Sequence, residues 1–119
     1  MGEAMKAIVR DLELEVGSYY RDTIRLKSAG QPYDLTGAAL AMHIRDSDGN
    51  LLLSLTRENG RLAVTGPGEI TRTIYATDTT AITEKRGAYD LEVSPGGNPD
   101  LTFKVYRGAV RFIKENTVA

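Results

Sequence analysis

Short runs of alternating apolar and polar residues, separated by turn signals, constrain the fold of this chain more than any other feature. Apolar residues alternate with acidic ones between Leu12 and Val16, and the same period of two recurs in Tyr89–Val93 and Leu101–Val105. A period of two places successive side chains on opposite faces of a strand, which is typical of a half-buried sheet. Turn signals recur about every 8–12 residues, a spacing typical of all-β sandwiches. The sequence therefore predicts an antiparallel β-sandwich.

Turn residues indicate where the strands end. Asp48-Gly49 lies between the apolar-rich stretches Ala38–Ile44 and Leu51–Thr56, and an Asp-Gly pair in such a position is a strong hairpin signal. Glycine and proline predict further turns at Asn59-Gly60, Gly66–Gly68 and Pro95–Asp100.

One short helical turn is predicted between the strand Ile70–Tyr75 and the strand that opens on Tyr89. Thr77 or Asp78 can cap the first backbone N–H groups of such a turn. Gly87 would end it, because glycine adopts a positive φ at little cost. Tyr89 follows a crossover between sheets, so it is either a tyrosine corner of the kind found in Greek-key sandwiches or a core aromatic with its hydroxyl at the edge.

Two charged residues break the pattern of apolar faces. Asp22 lies on the same face of its predicted strand as the apolar Ile24, which suggests an edge, a bulge or a turn there. Arg72 lies between Ile70 and Ile74 on the face expected to form the core. Either Arg72 lies at a sheet edge with its stem packed and its head in water, or the register is interrupted there.

Composition limits the classes of protein that the chain can belong to. Its 119 residues suffice for one domain with an ordinary core. A net charge of −1, from 15 basic and 16 acidic residues, argues against a nucleic-acid binder that relies on a broad basic field. The absence of cysteine excludes disulfides and thiolate chemistry. With no apolar run of about 20 residues and no signal-peptide pattern, we expect a chain made in the cytoplasm and no membrane contact.

Candidate catalytic groups are few. His43 is the only histidine and lies on the polar parity of a strand, which favours an exposed strand residue over a nucleophile system. The carboxylates of Asp34, Asp90 and Glu92 could act as a pair only if folding brings them together. We therefore predict that the chain is not an enzyme and has no catalytic or cofactor-binding residues, no cofactor and no small-molecule substrate.

Asp46–Asn50 begins with the acidic rhythm of a calcium-binding loop. The EF-hand pattern requires a glycine where Leu51 stands and a glutamate where Arg57 stands. A plain hairpin turn is the better interpretation, and no metal-binding residues are predicted.

The chain is predicted to consist of an N-terminal strand or arm, residues 1–16, and a sandwich domain, residues 17–119. The alternating segment Met5–Val16 is interpreted as an arm that pairs with a neighbouring subunit. The alternative is a strand that pairs within its own subunit. On the arm interpretation, deleting residues 1–16 should abolish self-association and leave the sandwich folded.

Several segments, taken in order, resemble those of small phage and prophage structural proteins. They cover most of the chain, from about Tyr19 to Thr117. The quoted segments are Gln31–Gly37, Ile44–Asp46 with the Asp48-Gly49 turn, Gly68–Ile70, Ala76–Ile82, Gly87–Val93 and Gly108–Phe112. The chain is similar to the immunoglobulin-like domains of tail and baseplate components, including the N-terminal domain of upper baseplate proteins.

This resemblance implies an immunoglobulin-like fold and a non-enzymatic virion structural protein of the tail or baseplate. The implied partners are further copies of the chain and other tail or baseplate proteins, with no nucleic acid. The implied location is the virion, after synthesis in the cytoplasm of the host bacterium. In such proteins the segments Leu35–Gly37 and Gly87–Asp90 belong to the scaffold, so no catalytic role is implied for them.

A bacterial immunoglobulin-like module that binds a glycan or a protein ligand is the alternative. It predicts exposed aromatic side chains gathered on one sheet face or one loop end. The candidates are Tyr19, Tyr33, Tyr75 and Tyr106.

Overall fold

Two β-sheets packed face to face form the fold in the computed structural model, which describes residues 7–114. The strands are β1 (Ile8–Val9), β2 (Leu12–Glu15), β3 (Tyr20–Arg25), β4 (Lys27–Ser28), β5 (Gln31–Pro32), β6 (Ala39–Arg45), β7 (Leu51–Thr56), β8 (Leu62–Gly66), β9 (Glu69–Ile74), β10 (Arg86–Ser94) and β11 (Phe103–Ile113). One short helix, α1 (Ala76–Thr79), precedes β10, and two 3₁₀ turns, Pro95–Gly97 and Pro99–Leu101, precede β11. The prediction of an all-β fold with one short helical turn is confirmed. Within residues 7–114, no helix has the length and apolar character needed to cross a membrane.

The strand order is that of an immunoglobulin-like sandwich. The larger sheet has β11, β10, β6 and β7 in that order, and β1 and β2 both pair with the outer side of β11. The smaller sheet has the order β3-β9-β8, and β4 and β5 form a separate hairpin. Pairing is antiparallel except where β1 and β2 run parallel to β11.

The core lies between the two sheets and is built by alternate residues of each strand, as the period of two predicts. In β6, Leu40, Met42 and Ile44 are buried, and their neighbours on the other parity are half-buried or exposed. Leu91 and Val93 of β10 face the same interior. The remaining core side chains include Leu12, Leu14, Ile24, Leu26, Leu55, Leu62, Ile70, Ile74, Val105, Val110 and Phe112.

The hairpin predicted at Asp48-Gly49 is confirmed between β6 and β7. The Asp46 carboxylate accepts hydrogen bonds from the backbone N–H groups of Asp48 and Asn50, both at 2.9 Å, and from the Asn50 side chain at 3.1 Å. Gly49 has a φ of +86°, which glycine adopts without strain. Asp46, the first acidic residue of this segment, therefore stabilises the turn itself.

The helical turn begins at Ala76, earlier than expected from a start at Thr77 or Asp78. Tyr75 is the N-cap residue of α1, and the carboxylate of Asp78 reaches back to accept its N–H at 2.8 Å. Asp78 therefore caps the turn from inside, as the acidic member of a capping box does. The explanation offered for Gly87 is also wrong, because its φ is not positive. A Cβ there would lie 2.7 Å from the carbonyl oxygen of Arg45, so close packing requires the glycine.

The described part of the N-terminal segment pairs with the last strand of the same chain. β1 and β2 lie along β11, and both Leu12 and Leu14 are buried in the core. Between β1 and β2, the Arg10 carbonyl accepts a hydrogen bond from the Tyr89 hydroxyl at 2.6 Å. A Cβ at Gly108 would lie 2.2 Å from the same carbonyl oxygen, so the close approach of the two segments requires this glycine.

Two sequence-based interpretations change as a result. Tyr89 is a core aromatic and not a tyrosine corner. In a tyrosine corner the hydroxyl bonds to the backbone a few residues upstream, whereas the Tyr89 hydroxyl bonds to the N-terminal segment. Residues 7–16 form part of the sandwich in this chain, and residues 1–6 of the proposed arm lie outside the described residues. Deletion of residues 1–16 is therefore expected to remove part of the core.

We expect Leu14→Ala to lower the free energy of unfolding by about 2–5 kcal/mol, because it removes a fully buried side chain and leaves a cavity. Glu13→Ala in the same strand is the matched control. Glu13 is exposed and its ion pair with Arg111 is long, at 3.6 Å, so this change should cost about 0.5 kcal/mol or less. Urea unfolding of both variants measures the difference, and equal stabilities would show that β2 is not part of the core.

Candidate functional site

The two charged residues that break the sequence pattern face each other between the sheets. Asp22 of β3 and Arg72 of β9 are direct partners in the antiparallel register. Arg72 is 1% exposed. Its Nε donates to Asp22 Oδ1 at 2.7 Å, and its Nη2 donates to Asp22 Oδ2. Neither explanation offered for Arg72 is correct, because it lies at no sheet edge and the β3–β9 register is continuous.

Further side chains complete this network. The Tyr20 hydroxyl donates to Asp22 Oδ2 at 2.6 Å. Arg72 contacts the sulfur of Met42 at 3.7 Å, and its guanidinium lies 5.8 Å from the centre of the Tyr89 ring. Throughout residues 7–114, every buried side-chain nitrogen and oxygen has a hydrogen-bond partner. The network is therefore closed, which a buried charge requires.

Burial and pairing act in opposite directions on the charges. Burial raises the pKa of Asp22, but the hydrogen bonds from Arg72 and Tyr20 outweigh it and leave that pKa below its usual value. Burial likewise lowers the pKa of Arg72, but its hydrogen bonds and attraction to Asp22 leave it above the usual value. Burial, followed by the bond to Asp22, raises the pKa of Tyr20 to about 12. These groups keep their protonation near neutral pH, so they are unsuited to acid–base catalysis there.

A polar cleft of about 490 Å³ opens beside the ion pair, at the side where β2 and β3 form the outer strands. Asp22, with 31% of its side chain exposed, reaches this cleft, whereas Arg72 is enclosed. The guanidinium of Arg10 lies 5.6 Å from the centre of the Tyr106 ring on the cleft wall. A second cleft, of about 570 Å³, lies between the loop of residues 32–37 and that of residues 66–68.

The candidate catalytic groups are not brought together. His43 lies on the outer face of β6, directly opposite Asp90 on β10. Asp90 pairs with Lys104 at 3.0 Å, and Asp34 accepts the N–H of Thr36 at 3.0 Å within its own loop. No group of three or more histidine, cysteine, aspartate or glutamate side chains within residues 7–114 is placed to hold a metal ion.

Two of the four candidate tyrosines meet at the end of the sandwich that carries α1. Tyr19 and Tyr75 are 58% and 45% exposed, with ring centres 5.9 Å apart. The Arg61 guanidinium lies 4.6 Å from the Tyr75 ring centre and is held by two bonds of 2.9 Å to Asp78. Tyr33 instead packs on Phe103, and Tyr106 is buried.

Comparisons with known proteins bear on the fold alone. No protein-family model and no curated protein matches the chain. Among solved structures, it is similar to part of a candidate glycoside hydrolase from Bacteroides vulgatus ATCC 8482, with a TM-score of 0.51 and 9% identity over 89% of this chain. The chain spans only 17% of that protein. The immunoglobulin domains of the ZIG-8–RIG-5 heterodimer match at a TM-score of 0.44 and 15% identity, over 94% of this chain and 87% of theirs.

We expect Asp22→Ala to destabilise the fold by about 3 kcal/mol, because it leaves the Arg72 charge buried without a partner. The control is the double variant Asp22→Leu/Arg72→Met, which removes both charges and should unfold within about 1 kcal/mol of the natural chain. Urea unfolding measures both changes. A single variant as stable as the natural chain would contradict the structural importance of the pair.

Stability should also depend on acid pH through Asp22. Its pKa is lower in the folded chain than the value of about 3.9 expected when unfolded. Its contribution is therefore fully present above the unfolded pKa and is lost as the pH falls through the folded pKa. The free energy of unfolding should hold steady from pH 7 to about 5 and fall below about pH 4.

The double variant is the control for this pH dependence. It should lose less stability in acid, and the remaining fall comes from carboxylates such as Asp34, Asp46 and Asp78, whose pKa values are also lowered by hydrogen bonds. Identical pH profiles for the two proteins would exclude Asp22 as a source of acid sensitivity.

Proposed function

We propose that this chain is a non-enzymatic structural protein of a phage or prophage virion, made in the host bacterium and built into the tail or baseplate through protein–protein interfaces. The observation that carries the proposal is the outer strand of the larger sheet, β7. Within residues 7–114, β7 pairs with β6 on one side and with no strand on the other.

The sequence of β7 suits a contact with another protein. Leu51–Thr56 contains no charged residue and no proline, which are the usual means of protecting an outer strand from association. Leu51 is 50% exposed, and Leu52 and Leu53 are only partly covered. Such a strand offers both backbone hydrogen-bonding groups and apolar side chains to a partner.

The interior supports a scaffold role. The buried charge of Arg72 is paired with the partly exposed charge of Asp22, and these groups and Tyr20 keep their protonation near neutral pH. A closed network of this kind stiffens a sandwich and leaves no group ready for proton transfer. A stiff subunit with an open outer strand is what repeated assembly needs.

A second candidate function is a module that binds a glycan or a protein ligand. It is favoured by the exposed pair of Tyr19 and Tyr75 above the Arg61–Asp78 ion pair. Tyrosine and arginine side chains held in place at a surface are common anchors in binding sites. The surface formed by Tyr19 and Tyr75 is small, however, and Tyr33 and Tyr106, the other two candidates, lie elsewhere.

The test is mass spectrometry of phage particles induced from the source strain and purified by density. We expect the chain in intact particles at a fixed multiple of the other structural proteins. Its absence from particles while abundant in the lysate would contradict the proposal. Ligand binding that Tyr75→Ala removes and Tyr33→Ala retains would then favour the second candidate.

A further inference from the structure

We propose that the open side of β7 pairs with the same strand of a second copy of this chain, antiparallel about a two-fold axis beside Leu53. The pairing would join the two larger sheets into one continuous sheet. The inference rests on the proposed function in that it names a partner for the outer strand, but it is tested on the purified protein.

Backbone geometry identifies which groups of β7 face outward. The N–H of Thr56 donates to the Asn59 side chain at 3.0 Å, and the C=O of Ser54 accepts from that side chain at 2.8 Å, so both residues turn their backbone groups away from β6. Groups that face the partner strand and groups that face away alternate along a strand. Leu53 therefore directs its N–H and C=O towards β6.

Two groups next to Leu53 must then point away from the sheet. A trans peptide directs its C=O and N–H to opposite sides. Because the N–H of Leu53 faces β6, the C=O of Leu52 faces outward, and because the C=O of Leu53 faces β6, the N–H of Ser54 faces outward. The Asn59 side chain already binds the outward C=O of Ser54 and the outward N–H of Thr56, so the open stretch is short and this side chain must turn aside when a second strand pairs there.

These two groups complement themselves under two-fold symmetry. When Leu53 lies opposite Leu53 of a second copy, the Ser54 N–H of each chain faces the Leu52 C=O of the other. Two equivalent hydrogen bonds then flank the axis, as a symmetric dimer interface requires. The two Leu53 side chains, partly covered in the single chain, would pack against each other across the axis.

The charges at the ends of β7 also favour a second copy. Asp48 precedes the strand and Arg57 follows it, and both are exposed. Antiparallel pairing brings Arg57 of each chain beside the turn that contains Asp48 of the other. Arg57 gives one donor to the Ala38 carbonyl at 2.8 Å and has others to offer.

Two of the other outer strands, β2 and β3, carry charged side chains that oppose such pairing. Glu13 and Glu15 place acidic side chains along β2, and Arg21 and Arg25 place basic ones along β3. β8 has a register shift between Val64 and Gly66, as β7 itself has at Leu52. Charges of the kind found on β2 and β3 discourage association.

The first experiment compares Ser54→Pro with Ser54→Ala by sedimentation velocity over a range of protein concentrations. The natural chain and Ser54→Ala should show the same concentration-dependent dimer. Ser54→Pro should weaken it at least about tenfold, because proline removes the outward N–H without removing a bond to β6. Thermal unfolding confirms that each variant is folded. If Ser54→Pro does not fold, Leu51→Lys places a charge on the same edge and should have the same effect.

The second experiment tests the register and uses the absence of cysteine from the chain. Leu53→Cys should form an intermolecular disulfide readily under mild oxidation, because residues opposite each other in a non-hydrogen-bonded pair lie about 4.5 Å apart. Ser54→Cys is the control, since its counterpart lies diagonally across at about 7–8 Å and should cross-link poorly. Equal cross-linking of the two variants would overturn the register.

The two proposals can fail separately. A natural chain that stays monomeric at every concentration, or a dimer that Ser54→Pro leaves intact, would overturn pairing through β7. If the chain were still found in particles, the proposed virion role would stand. A dimer through β7, with the chain absent from particles, would support the pairing and overturn the virion role.

Discussion

The ion pair between Asp22 and Arg72 is the interaction on which the arrangement of the two sheets depends. A lone guanidinium between the sheets would cost about 3 kcal/mol, a large share of the stability of a domain of this size, so the burial of Arg72 depends on Asp22 opposite it. A slip of one residue between β3 and β9 would turn one of the two charges to the other face. The pair therefore specifies the register of the smaller sheet, which apolar residues alone would specify less strictly.

A second constraint attaches the N-terminal segment to the larger sheet. The Arg10 carbonyl is held by the hydroxyl of Tyr89 and lies directly over Gly108. Tyr89 and Gly108 are register partners on β10 and β11. At this position of the sheet, Tyr89 supplies the hydrogen bond to the Arg10 carbonyl, and Gly108 leaves the space that this carbonyl occupies. The ring of Tyr89 also lies near Arg72, which links this attachment to the ion pair between the sheets.

Local pattern predicted much of this fold, because alternation and turn chemistry are local properties. The buried faces of β6 and β10 and the hairpin at Asp48-Gly49 followed from it. Contacts between residues far apart in the sequence were not predicted, because the alternation of apolar and polar residues does not indicate which strands pair. Asp22 and Arg72 were each recognised as exceptions. Each lies on the apolar face of its strand and their charges are opposite, which was the signal that could have predicted their pairing.

The same limit explains what was missed elsewhere. Alternation in the N-terminal segment indicated a strand but not the neighbour it pairs with, and Gly87 and Gly108 are required by carbonyl groups far away in the sequence. Of the candidate tyrosines, only Tyr19 and Tyr75 meet, because their positions at one end of the sandwich depend on the crossover through α1. A site built from separate loops is not visible in any one of them.

The parallel pairing of β2 with β11 has a consequence for how the chain acquires its structure. Among the described strands, the second one joins the last one, so the larger sheet cannot be completed until synthesis reaches residue 113. Contacts of such long sequence separation slow folding, because a large loop must close before they contribute. Leu12 and Leu14 remain uncovered on the nascent chain throughout this time. The period of greatest risk of aggregation is therefore the interval before the C-terminal strand emerges from the ribosome.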